Sequence, residues 1–532
     1  MHVAFLSNPA SGQVNVQLAT AQQLVSQGHA VTFLSAESCS SKIGRFRKAQ
    51  QPCRRGLIRF ISLGSGHTIN DFTPFIQTRI HAMRTVPGNP VSLDTCVEAA
   101  LCPAEEHAAM AARVRDHLNA LDPNMICVDG LTSVLLTGTR LTKRKFILTI
   151  PCSPGFTALR DAFEPHPVAA HRDGSWGTFF ENIYLSVHGF IHSRRHPHRR
   201  AKHDLIKRLG LKSYGPESDS ALVQPHWEDD NCVAGIHFNT PGLIDCPKQS
   251  SKIVFVGAGV SPESLPSTPL PAAIGPPTPT NNPLSELAWM DEAAVLHQDV
   301  VYVNMGSMFV WQSDEFRACI AGFKAAYKKL AGRVRFLFKI NSHPPPTPSL
   351  KETNPDFEEE EGIPPYVRLT HWIENQHAIY SHSALKAFIH HGGGNSFNEA
   401  VHFAIPQLVL SQWLDTHEYA TYADKFGLGL RSAKPPCIDA ADIERKILML
   451  LGPRWLSYKA NCRAWALRSE MAGGAVAAAR IVLFHAEVGG EGAGGDGAGK
   501  GVSTELTPPL SPVVVAPVFA EKEEAFRDIV IS

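Results

Sequence analysis

AFIHHGGGNSFNEAVHFAIPQLVL, residues 387 to 410, holds a whole strand, loop, helix and strand passage. Ala387 to Ile389 form a short buried strand, Ser396 to Phe403 carry helical character that stops before Pro406, and Gln407 to Leu410 are apolar again. Two histidines and three glycines stand where the strand gives way to the helix. Gly392, Gly393 and Gly394 permit backbone geometries and close approaches that side chains block. Asn395 or Ser396 then starts the helix, whose first amides are unsatisfied and partially positive. A phosphate or pyrophosphate can lie there, with His391 as a further donor. In open α/β sheets ligands collect outside the carboxyl ends of the strands, where this loop falls. A second reading of the same residues is open: Ser396-Phe397-Asn398-Glu399 fits a capping box that only satisfies the helix start.

The same alternation extends outward in both directions. Val300 to Asn304, Arg335 to Ile340 and Val367 to Leu369 read as strands, and Asp314 to Leu330 as a helix. At the N-terminus, His2 to Ser7 and Ala30 to Leu34 are strands around a helix from Val14 to Gln27, which Gly28 closes. Leu57 to Ile61, Met125 to Val128 and Lys145 to Ile150 are further strand candidates. Strands alternating with helices imply parallel, doubly wound sheets, and here two of them. The segment Phe156 to Leu243 has helical pieces and a basic stretch, IHSRRHPHRRAKH (191 to 203), and is expected to hold an insertion facing an acceptor. The expected division is an N-terminal domain at 1–260, a proline-rich linker at 261–284 and a second domain at 285–465. Helices at 466–488 are expected to cross back to the first domain, before a tail at 489–532 without apolar periodicity. HPPPTPSLKETNPDFEEEE (343 to 361) reads as a surface loop.

Composition excludes several classes of function. The chain has 532 residues, 44% hydrophobic and 19% charged, with 50 Lys plus Arg against 50 Asp plus Glu. No overall basic field draws nucleic acid or anionic lipid to it, so a small-molecule partner is expected. Eleven scattered cysteines without CxxC pairs suit free thiols in a reducing compartment. No signal peptide opens the chain, and no run approaches the roughly 20 apolar residues of a spanning helix. The expected location is cytoplasmic.

HWIENQHAIYSH (371 to 382), the stretch from 387 to 420, FGLGL (426 to 430) and VVYVNMGSM (300 to 308) together resemble the nucleotide-sugar signature of the family 1 glycosyltransferases, the UDP-glycosyltransferases. The resemblance implies the GT-B fold, two Rossmann-like doubly wound domains facing across a cleft, and a UDP-sugar donor with no metal or other cofactor. It implies that Trp372 stacks on uracil, a role that competes with a plain core tryptophan. It places Gln376 near the nucleoside, one residue out of the usual spacing, and His391 and Ser307 at the diphosphate, with Gly12 and Gly393 in the adjoining loops. Asn395 and Ser396 fall to the α-phosphate, Glu399 to the ribose, and Asp415, followed by Thr416, to the donor sugar. Glutamine is common where Thr416 stands, which leaves the sugar open, with glucose expected.

Inverting transfer needs a base for the acceptor hydroxyl, usually a histidine oriented by an aspartate. In NPASGQVNV (8 to 16) the family's histidine position is Gln13, an amide that cannot take up a proton. Asp129 matches the orienting aspartate, unless it is only a helix cap or polar turn. Three accounts stay open: Asp129 as base with a pKa raised by burial, a histidine from elsewhere (His67, His192, His196 or His198), or an acceptor acidic enough to need little help. His29 reads as a C-terminal cation cap. The expected activity is hexosyl transfer to a hydroxyl or carboxyl of a lipophilic small molecule. The alternatives are a catalytically silent nucleotide-sugar-binding protein, and an epimerase, whose acidic and basic residues have no match here.

Overall fold

The computed structural model describes residues 1–66, 80–99, 101–156, 166, 168–170, 174–219, 226–243, 250–261, 285–340, 363–373 and 375–490. His67, residues 262–284 of the linker, the 343–361 loop and the tail from 491 lie outside them.

The N-terminal half alternates β1 (His2–Leu6), α1 (Ser11–Ser26), β2 (Ala30–Ser35), α2 (Ser40–Ala49) and β3 (Ile58–Ser62). It continues through α3 (Val91–Ala99), α4 (Ala104–Leu121), β4 (Met125–Asp129), α5 (Ser133–Leu141) and β5 (Phe146–Ile150). Helices α6 (Trp176–Arg195) and α7 (Pro197–Arg208) precede β6 (Cys232–His237) and β7 (Ile253–Phe255). These seven strands form one sheet in the order β3-β2-β1-β4-β5-β6-β7, every pair parallel. The two last strands are not evident from the sequence. The six-residue β6 is interrupted by Gly235 and the three-residue β7 is too short to show a period.

The C-terminal half contains α8 (Glu286–Val295), β8 (Asp299–Asn304), α9 (Ser313–Lys329), β9 (Val334–Lys339), β10 (Val367–Thr370) and α10 (Gln376–Tyr380). Then come β11 (Leu385–His390), α11 (Gly394–His402), β12 (Gln407–Val409), α12 (Thr416–Lys425) and β13 (Gly429–Arg431). Its six strands are parallel in the order β10-β9-β8-β11-β12-β13. Both sheets are buried on two faces, as parallel sheets require: β1, β4, β5, β8 and β11 are almost wholly inaccessible.

In each sheet the strand order reverses once, between β1 and β4 and between β8 and β11. Such reversals open crevices at the carboxyl ends of the strands. One crevice therefore begins at Ser7 and Gly130, the other at Met305 and His391.

Three helices, α13 (Ala440–Leu451), α14 (Trp455–Met471) and α15 (Gly474–Gly490), end the described chain. The run Trp455–Val488 is, by length and composition, apolar enough to cross a membrane, which corrects the expectation that no such run exists. It breaks at Gly473 and Gly474, both with positive φ, and Ala478, Ala479, Val482 and Ala486 of α15 are packed into the core of the first sheet with Val3 and Phe5. The cluster on the second sheet likewise includes Met83, Cys96 and Leu185 from the N-terminal half. Each half thus lends apolar surface to the other.

Candidate active site

Helix α11 begins one to two residues earlier than the sequence suggests. Its N-cap is Gly393, in extended conformation, and no side chain caps it. The capping box is therefore absent: Ser396 lies within the first turn, and Glu399 Oε2 accepts from Gln376 Nε2 at 3.1 Å. Uncapped amides at 394 to 396 are the donors an anion requires.

The His391 ring explains two glycines. A Cβ on Gly393 would lie 2.6 Å from its Nε2, and one on Gly306 would overlap the ring. Burial lowers the His391 pKa to about 4, so the imidazole is neutral near pH 7 and keeps one N–H to donate. Its Nδ1 is buried and makes no hydrogen bond among the described residues, as expected of a group that waits for a ligand.

Around this point lies a cavity of about 1070 Å³, bordered by Gly12, Gln13, Ser307, Trp372, Gln376, His391, Gly393, Asn395, Ser396, Glu399, Asp415 and Thr416. The two crevices thus open into one space. Asn395 Nδ2 donates to Gly12 O at 3.1 Å, and Gly394 abuts Pro151 O so closely that no Cβ fits between them.

Three of the expected site residues, Gln376, Thr416 and Asp129, do something other than expected. Gln376 accepts from Asn304 Nδ2 (3.1 Å) and Tyr302 Oη (3.3 Å), and donates to Tyr380 Oη (2.6 Å) and Glu399. Its amide is saturated, so it steadies Glu399 rather than reading a nucleoside. Thr416 Oγ1 accepts from Gln412 N (3.0 Å) and Trp413 N (2.9 Å) and donates to Trp413 O. It ties the turn before α12 and has no hydroxyl to spare for a sugar. Trp372 is 57% exposed, so it is no core tryptophan. Arg45 stands 4.8 Å and Lys339 Nζ 5.8 Å from its ring centroid.

Asp129 is the third. Burial pushes its carboxyl up to about 7, the condition for a base, but it does not reach the cavity. It is fully buried, accepting from Thr132 Oγ1 (2.5 Å), Leu131 N (3.2 Å) and Asn8 Nδ2 (3.2 Å). The residue it orients is Asn8, which does border the cavity, and not Gln13. Asp415, at the other wall, is also pushed up to about 7 by burial, against a hydrogen bond from Ser153 N at 2.9 Å.

His192 and His196 pair with Glu98 outside the cavity, His198 adjoins His196, and His29 approaches the N-terminal ammonium. Among the described residues one group has metal-ligand character, Asp94, His188 and His192. It also lies outside the cavity, and Asp94 Oδ2 already bonds His188 Nε2 at 2.5 Å. Sequence reading missed the basic rim formed by Lys42, Arg45 and Lys339. Lys42 Nζ donates to Ser11 Oγ at 2.9 Å, and burial lowers its pKa to about 8. No local pattern announces these three, because α2 and β9 meet only in the fold.

Residues 353–478 match the family model for the C-terminal domain of proteins like erythromycin biosynthesis protein CIII. Erythritol-mannosyl-transferase 1 of Mycosarcoma maydis is 39% identical over 566 residues, covering 91% of each chain. The chain belongs to the family 1 glycosyltransferases. Erythritol-mannosyl-transferase 1 of Pseudozyma antarctica is 38% identical with the same coverage. In fold, the kitacinnamycin glycotransferase superposes with a TM-score of 0.56 at 16% identity, over 91% of this chain and 98% of that one. The fold is GT-B, and this glycosyltransferase acts on a small molecule. The silent-binder alternative gains no support.

Proposed function

We propose that this glycosyltransferase moves a mannosyl group, with inversion, from a nucleoside diphosphate donor to a hydroxyl of a small polyol such as erythritol. The 39% identity across 91% of both chains to an erythritol-mannosyl-transferase carries this reading. It replaces the glucose and the lipophilic acceptor expected from the sequence. The amides of Gln13 and Asn15 that border the cavity suit an acceptor made of hydroxyls.

In this reaction the acceptor oxygen attacks the anomeric carbon, the bond from that carbon to the phosphate oxygen breaks, and the diphosphate leaves with the electron pair. Amides at the start of α11 and the neutral His391 N–H stabilise the departing charge. The acceptor proton needs a base, and neither Gln13 nor Asn8 can take it. Asp129 is walled off, and His391 near 4 is too weak. Asp415 borders the cavity with a pKa of about 7, matched to neutral pH, and we assign the proton to it.

The test is incubation of the purified enzyme with UDP-glucose, UDP-mannose or GDP-mannose, each with erythritol, longer polyols or lipophilic alcohols, read by mass spectrometry. Mannosyl erythritol from one of the mannose donors is expected. Hexosides of lipophilic alcohols, with erythritol untouched, would refute the reading.

A further inference from the structure

Helix α6 turns a broad apolar face to solvent. Trp176, Phe180, Ile183, Tyr184, Val187 and Phe190 are 44 to 66% exposed, and their offsets of 4, 7, 8, 11 and 14 from Trp176 place them on one stripe of an α-helix. Ile191, at offset 15, extends it. The other side of the helix is fastened down: His188 Nε2 bonds Asp94 Oδ2 at 2.5 Å, His192 Nε2 bonds Glu98 Oε1 at 3.1 Å, and Leu185 is buried in the core. These anchors to α3 hold the apolar stripe outward.

The stripe runs into a cluster of cations. Residues 190–208 contain seven Lys and Arg against a single acid, Asp204, on a chain whose net charge is zero. Arg194, Arg195, Arg200, Lys207 and Arg208 are exposed, and the Arg194 guanidinium lies 4.3 Å from the Phe190 ring centroid. Aromatic and branched aliphatic residues beside concentrated arginine are what a helix lying in a bilayer interface presents, with Trp and Tyr suited to headgroup level.

We infer that α6 docks this glycosyltransferase on an anionic membrane surface, its apolar stripe sunk among the headgroups and the exposed cations Arg194, Arg195, Arg200, Lys207 and Arg208 facing acidic lipid. A second copy of the chain is a poorer occupant. In a two-fold dimer the same patch meets itself, and it offers the seven Lys and Arg of residues 190–208 only one acid in return, Asp204.

Full-length protein is to be sedimented with vesicles of phosphatidylcholine alone and of phosphatidylcholine with phosphatidylserine, at low and physiological salt. Binding to the phosphatidylserine vesicles, weakened by salt, is expected. The double variant Phe180→Asp, Val187→Asp should lose it, and Arg194→Glu with Arg195→Glu should lower partitioning at least thirtyfold, roughly 1 kcal/mol for each arginine lost, while both variants keep the wild-type melting temperature and nucleoside diphosphate affinity. Wild-type protein left in the supernatant, or variants that bind vesicles as well as wild type does, would overturn the inference. So would a concentration-dependent dimer, abolished by Phe180→Asp, in protein that ignores vesicles.

Discussion

Two aspartates, Asp129 and Asp415, are both pushed up to about 7 by burial, yet only Asp415 borders the cavity. With Asp415 as proton acceptor, kcat climbs with pH and levels off above about 7, as its ionised fraction does. Asp415→Asn should cut kcat by roughly 10² to 10⁴ and erase that acid limb. A carboxylate that only held the sugar would instead raise the donor KM and leave the limb in place. Asp129→Asn should keep the limb and show its effect in stability. Folded Asp129 retains its proton up to about 7, whereas the unfolded chain releases it near about 3.9. Its contribution is therefore fully present below that lower value and is lost as pH rises to about 7. The fall in melting temperature over this window should be shallower in Asp129→Asn; an equal slope would show that Asp129 does not titrate there. From the sequence, Asp129 could be placed at its strand end but not behind Asn8, since that contact spans 121 residues.

Helix α11 owes its function to where it starts. The strand, loop and helix were legible because the glycines and Pro406 punctuate an apolar period. The first turn was misplaced because its boundary is tertiary: Gly394 abuts Pro151 O of the other sheet and Gly393 leaves room for the His391 ring. Gly393→Ala should push that ring aside and weaken nucleoside diphosphate binding about tenfold, the worth of one charge-assisted hydrogen bond. Gly44→Ala in α2, where a Cβ meets nothing within 4 Å, is the matched control and should bind as wild type. Calorimetric titration reads both, and equal affinities would remove His391 from the phosphate site.

Across the whole molecule, polar contacts hold the two sheets at a fixed separation. Asn239 Oδ1 accepts from Asn398 Nδ2 (2.8 Å) and Tyr419 Oη (2.7 Å). Arg84 donates through Nε to Gln412 Oε1 at 2.8 Å and pairs with Glu315 through both terminal nitrogens. Both partners of that pair are nearly buried, with 9% and 12% of their side chains exposed. Arg84→Ala would strand the Glu315 charge and should cost about 3 kcal/mol of stability, seen as a lower midpoint in urea. Pairing it with Glu315→Leu should recover most of the loss, and a double variant as weak as the single one would contradict the clamp. The two-sheet architecture could be read from alternating strands and helices. Arg84 and Glu315, 231 residues apart, belong to no local pattern, and the basic rim at Trp372 was hidden for the same reason.

The central claim is that the donor's diphosphate rests on the uncapped start of α11 beside His391. A crystal structure with bound nucleoside diphosphate tests it directly. Phosphate oxygens within about 3 Å of the amides at 394 to 396 and of a His391 ring nitrogen are predicted, and a diphosphate bound elsewhere in the cleft would contradict the account.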